Sequence, residues 1–168
     1  GTEALVQSAQ MGNITLAAFL LDSGVDINAT GLEMNPLQMA AHQAHLEMVE
    51  FLLIRGADIN TSAYPGGGCT ALQAALRSES PDEVAALLLD KGADIFAPPA
   101  LVGGVTALEA ACYGWAYSME NNISLCNRLL DAGALVNRPN GRPSSVLHGV
   151  ISEGWDEILA RILEPQRN

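Results

Sequence analysis

Gly24-Val-Asp-Ile-Asn28 is the first of four variants of one pentapeptide; Gly56-Ala-Asp-Ile-Asn60, Gly92-Ala-Asp-Ile-Phe96 and Gly133-Ala-Leu-Val-Asn137 follow it. Each comes shortly after an apolar run: Phe19-Leu-Leu21, Phe51-Leu-Leu-Ile54, Leu87-Leu-Leu89 and Leu129-Leu130. A glycine just past such a run is how many helices end, because it takes the left-handed conformation at little cost. Between the pentapeptides stands a second phrase: Asn35-Pro-Leu-Gln38, Thr70-Ala-Leu-Gln73, Thr106-Ala-Leu-Glu109 and Ser145-Val-Leu-His148. Its leucines fall at 37, 72, 108 and 147, in steps of 35, 36 and 39 residues.

Two linked phrases recurring in register at this period resemble the ankyrin repeat. The resemblance extends over nearly the whole chain. It implies an all-α fold, an ankyrin-repeat solenoid of stacked antiparallel helix pairs with extended, hairpin-like fingers. Residues 1–168 then form a single ankyrin-repeat domain, with repeats at about 1–30, 31–62, 63–99, 100–138 and 139–168. Both ends look cut, so the expectation is a fragment of a longer protein.

Residues 31–62 show how one repeat is built. Asn35 can cap a helix, and Pro36 suits its first turn, where a missing N–H costs nothing. Leu37, Ala40 and Ala41 share one face at helical spacing. Ala44-His45 occupies a tight turn where the family usually has Gly-His. Met48, Val49, Leu52 and Leu53 point a second helix inward, and Gly56 ends it. Asp58 and Asn60 can then tie the finger's backbone. Helix pairs are predicted near 3–11 with 14–22, 36–43 with 46–54, 70–78 with 82–90, 106–117 with 122–131, and 145–153 with 155–163. One pair cannot bury its apolar face alone; stacking supplies the core.

The formal net charge is −11. That argues against nucleic acid and against an anionic membrane surface, both of which need a basic face. It permits a Lys/Arg-rich partner, and it also keeps an apolar solenoid soluble. No stretch reaches the roughly 20 apolar residues of a membrane span. Cys69, Cys112 and Cys126 lack metal-ligand spacing and read as reduced thiols of an intracellular protein, cytoplasmic or nuclear.

Departures from the repeat single out candidate contacts. Six extra residues lie between the helices of the fourth repeat, in a segment holding Tyr113, Trp115, Tyr117 and Glu120. It reads either as an aromatic binding loop or as a longer first helix packed against the next repeat, with Trp155 as its partner. The same aromatics with Glu120 have the composition of a methyl-lysine cage, so a reader of methylated histone tails, as some members of the family it resembles are, is a further alternative. Two fingers carry turn-rich tips, Ala63-Tyr-Pro-Gly-Gly-Gly68 and Ala97-Pro-Pro-Ala-Leu-Val-Gly-Gly104. There Tyr64, Phe96, Leu101 and Val102 either contact a partner or lean on the adjacent finger. The resemblance implies a partner in the concave groove of fingers and first helices, which selects by position Gln7, Gln10, Met11, Met39, His42, Gln43, Ala74, Arg77, Ser78, Tyr113, Ser152 and Glu153.

Catalytic patterns are not found. His42 and His45 have no third ligand nearby in sequence. Gly66-Gly-Gly68 lacks the lysine of a phosphate loop. His148 sits where the family's histidine hydrogen-bonds across repeats. The reading is a monomeric protein- or peptide-binding module, not an enzyme, with no cofactor. The alternative is a structural or regulatory brace for another domain of the full-length chain.

Overall fold

The computed structural model describes residues 1–31, 33–113, 119–137 and 146–163, with the side chains of 119–121 left aside. The described residues form five helix pairs and no strand: α1 (Thr2–Gln10) with α2 (Ile14–Asp22), α3 (Pro36–His42) with α4 (Leu46–Ile54), α5 (Ala71–Ala75) with α6 (Asp82–Asp90), α7 (Ala107–Cys112) with α8 (Met119–Asp131), and α9 (Val146–Glu153) with α10 (Asp156–Leu163). First helices pack in the order α1, α3, α5, α7, α9, and the second helices α4, α6, α8 and α10 pack in a row behind them. No helix among the described residues is long and apolar enough to cross a membrane.

The Asn/Thr-x-Leu-Gln/Glu phrase builds the start of each inner helix. Asn35, Thr70 and Thr106 accept a bond from the backbone N–H three residues on, and Gln38, Gln73 and Glu109 reach back to the cap's own N–H. Each reciprocal box satisfies two of the donors that a helix start leaves orphaned. The leucine inside each phrase, Leu37, Leu72 or Leu108, is 1% exposed. Burying each contributes about 1.5–3 kcal/mol. The paired alanines that follow, Ala40-Ala41, Ala74-Ala75 and Ala110-Ala111, are buried. Their small side chains let neighbouring first helices approach closely.

Glutamine at the fourth position also joins repeats. Gln38 Nε2 donates to the Thr61 carbonyl at 3.2 Å, and Gln73 Nε2 donates to the Ala97 carbonyl at 3.1 Å. His148, at the same position and expected to tie repeats together, is instead exposed. The carbonyls that Gln38 and Gln73 reach lie 23 and 24 residues on, in the finger that follows, and no residue at that distance follows His148 among the 168.

Second helices end at Gly24, Gly56, Gly92 and Gly133, whose φ angles are 87°, 92°, 86° and 88°. The aspartates just beyond fold the chain back. Asp26, Asp58 and Asp94 accept from the backbone N–H two residues on, at 2.8–2.9 Å. Asparagines then join successive repeats: Asn28 Oδ1 accepts from Asp58 N at 2.9 Å, and Asn60 Oδ1 accepts from Asp94 N at 2.8 Å. This ladder stops at the third repeat. Phe96 stands where Asn28 and Asn60 stood, and Leu135 where Asp58 and Asp94 stood. Phe96 is 59% exposed, its ring edge reaching toward Gly133.

Inter-helix turns depart more. Gly12 and Gly154 are left-handed, with φ of 66° and 69°, and Ala44 does the same work at φ 56°. The His45 ring lies over Gly12, and its Nε2 meets the Gln10 carbonyl at 3.0 Å. The third turn has no glycine. Helix α5, predicted to reach residue 78, ends at Ala75 because Arg77 N and Ser78 N bond back only three residues, to Ala74 and Ala75. Ser78 Oγ also donates to the Ala75 carbonyl. Helix α7, predicted through residue 117, ends at Cys112, with the Tyr113 N–H bonded to Glu109 O. The first helix of this repeat thus stops before Tyr113, whereas the packing of Trp115 and Tyr117 expected of a longer helix lies outside the described residues; α8 begins at Met119, earlier than the predicted 122, and has 13 residues.

Candidate functional site

Three of the selected side chains come together. His42 at the end of α3, Gln43 after it, and Arg77 after α5 line one cleft with Ser78, Glu79 and Ser80, enclosing about 450 Å³. They meet because equivalent turns of successive repeats sit side by side in the stack. Burial lowers the His42 pKa, and the Arg77 guanidinium lowers it further, so imidazole there stays neutral near pH 7. The cleft thus offers neutral donors and acceptors, one guanidinium and the Glu79 carboxylate.

Met39 is half-buried and packs against the core. Ala74 and Ser78, assigned to the same surface by position, are buried. Ala74 packs between first helices, and Ser78 spends its hydroxyl on closing α5.

The two finger tips form a second exposed surface. Gly67 and Gly68 both bond back to the Tyr64 carbonyl, making a tight turn. A Cβ on Gly68 would stand 2.7 Å from Tyr64 N, and one on Gly104 would collide with the Ala100 backbone. Glycine is required at both places. A Cβ on Gly67 would lie 3.8 Å from the Val102 carbonyl, so the two tips are neighbours. Leu101 and Val102 project from the second tip, 79% and 63% exposed. Tyr64 is also exposed, and its ring lies across its own Gly66.

Tyr113 caps α7 and is exposed. Trp115 and Tyr117 lie outside the described residues, as does the Glu120 side chain in the first turn of α8. Trp155, their suggested partner, is buried in the core. Among the described residues, no cluster of His, Cys, Asp and Glu could hold a metal ion.

Another groove escaped the sequence reading. Glu50, Leu53 and Ile54 of α4 and Leu87 and Lys91 at α6 line about 490 Å³ on the row of second helices. Elsewhere in that row ion pairs cross between repeats: Asp22 with Arg55, Asp90 with Arg128 at 2.8 Å, and Asp131 with Arg161. Ile54 takes the place of Asp22 at the helix end and is 84% exposed. The register Asp22, Ile54, Asp90, Asp131 was the available signal.

The model for ankyrin repeats in three copies matches residues 1–63, and the model for a single ankyrin repeat matches residues 67–98. A search of curated proteins finds no match. The matched stretch coincides with the part of the array that carries the asparagine ladder, and the same helix-pair pattern continues through α7 to α10. Capping phrases, left-handed glycines and stacked pairs together place this chain in the ankyrin-repeat family.

Proposed function

We propose that this array recognises a partner protein or peptide through its finger tips, with a second contact in the cleft at the C-terminal ends of its first helices. Ankyrin repeats are in general protein–protein interaction modules. The observation that carries the finer reading is the exposed pair Leu101-Val102 beside Tyr64, held on glycine-closed turns. Apolar side chains fixed on a rigid turn lose little entropy on binding, so their contact area is not offset by ordering. The His42–Gln43–Arg77 cleft adds adaptable polar contacts. A net charge of −11 favours a Lys/Arg-rich partner and speeds its approach.

Peptides selected from a displayed random library against the wild-type array test this reading. The expected peptides are enriched in Lys and Arg around an apolar anchor, and they weaken with added salt. A folded Tyr64→Ala, Leu101→Ser, Val102→Ser triple variant is expected to lose them. Equal binding by that variant removes the tips from the site. A wild-type array that selects no peptide favours a brace for another part of a longer chain.

A further inference from the structure

Cys112 closes α7 and Cys126 lies in α8, on two helices that pack together. Both side chains are fully buried, and their sulfurs are 3.4 Å apart. A disulfide needs an approach to about 2.05 Å, so a movement of little more than 1 Å separates thiol contact from bond. Between them in sequence lies the whole segment 113–125, which contains the six-residue insertion. Cys69 belongs to the preceding repeat and has no such sulfur beside it.

We propose that Cys112 and Cys126 are an oxidative modification site, converted by a low-molecular-weight disulfide such as oxidised glutathione into an intramolecular disulfide that ties the end of α7 to α8 across the insertion. One protein thiolate attacks the glutathione disulfide and expels one glutathione thiolate, leaving a mixed disulfide. The second protein thiolate attacks the protein-side sulfur of that bond and expels the other glutathione. Two protein S–H bonds are lost and one S–S bond is made. Two electrons pass to the glutathione disulfide, and the two protons end on the departing thiols.

The geometry favours the second step over persistence of the mixed disulfide. Once α7 and α8 are packed, the resolving sulfur is already in contact, which is the intramolecular advantage of a preorganised pair. The first step is slow at rest. The hydrogen bond that the Cys112 S–H makes to the Cys126 sulfur in the reduced pair, and the burial of the pair, hold the Cys112 thiol well above the ordinary thiol range. Exchange requires thiolate and access. The reaction therefore runs through local opening of the α7–α8 junction, and brief exposure to oxidant leaves the pair reduced. Once formed, the bond fixes the base of the segment that begins at Tyr113.

The native protein is incubated with oxidised glutathione, blocked with iodoacetamide under denaturing conditions, and digested with trypsin. Both cysteines fall in peptide 92–128, with no cleavage site between them, and Cys69 falls in peptide 56–77. The expected result is a 92–128 peptide lighter by two hydrogens and free of alkylation, with Cys69 alkylated. Dithiothreitol should reverse it, and the oxidised protein should melt higher than the reduced protein. Cys112→Ala and Cys126→Ala should each abolish the change; alanine suits these dry positions better than serine. Three alkylated cysteines after prolonged incubation would overturn the proposal. So would glutathione adducts persisting on both residues, or a link that forms only in urea. The wild-type peptide map decides the matter even if a variant fails to fold.

Discussion

Replacing Asn35 by threonine should make the protein more stable. Asn35 is 1% exposed. Its Oδ1 accepts from Gln38 N at 2.8 Å, but its Nδ2 is buried with no hydrogen-bond partner. A buried donor left unmade costs about 1–3 kcal/mol. Thr70 and Thr106 do the same capping in the next two repeats, accepting at 3.3 and 3.2 Å, with backbone angles that Asn35 nearly shares. The extended conformation needed before Pro36 suits a β-branched residue. Threonine replaces the orphaned amide with a methyl of similar volume and keeps the acceptor. As a cap it is weaker than asparagine by a few tenths of a kcal/mol. The net gain should be about 1 kcal/mol, or a rise in Tm of roughly 2–4 °C for a chain of this size. Urea unfolding followed by circular dichroism measures it, with Asn35→Ala beside it as the variant that lacks the acceptor. If the threonine variant is no more stable than the wild type, the orphaned amide is not a cost, and the reasoning fails.

Ala44→Gly should stabilise by about 0.5–1 kcal/mol, because relief of the left-handed strain at φ 56° exceeds the entropy glycine adds to the unfolded chain; an unchanged urea midpoint would contradict this. Gly149→Ala should destabilise by about 1–2 kcal/mol despite alanine's better helix propensity, since its Cβ would stand 3.0 Å from the Cys112 carbonyl carbon and nearer still to the oxygen. Chemical denaturation reads the sign directly. His42 has a folded pKa below its unfolded value of 6.5, so the fold prefers neutral imidazole. That stability is present above pH 6.5 and is lost as pH falls toward and through the lower folded value. His42→Gln should therefore flatten the decline in Tm between neutral and mildly acidic pH, and parallel curves for the two proteins would refute the assignment.

Helix starts and glycine stops were legible because they are local. Asn35, Thr70 and Thr106 carry their own cap chemistry, and Gly24, Gly56, Gly92 and Gly133 carry their own backbone preference. The meeting of His42, Gln43 and Arg77 was legible because equivalent positions in successive repeats become neighbours. What failed was set by competition between local and longer-range terms. Leu76 reads as helix, yet without a turn glycine the chain tightens into three-residue bonds after Ala75. Periodicity alone could not say which helix takes the six added residues, so the contact of Cys112 with Cys126 stayed hidden until the end of α7 was fixed. Ile54 was passed over as one more apolar residue in a leucine-rich run, although only its register against three aspartates reveals that it faces water.

The asparagine ladder has a consequence for how the molecule comes apart. In a linear array, stability is a sum of unit terms and couplings between neighbours, so a weaker coupling is where the boundary between ordered and melted units comes to rest. Asn28 and Asn60 lock the first three repeats to one another, while Phe96 and Leu135 offer no such link to the fourth. Under mild denaturant the chain should split along that seam. Amides of α7 to α10 should exchange with solvent as one cooperative block while those of α1 to α6 remain protected.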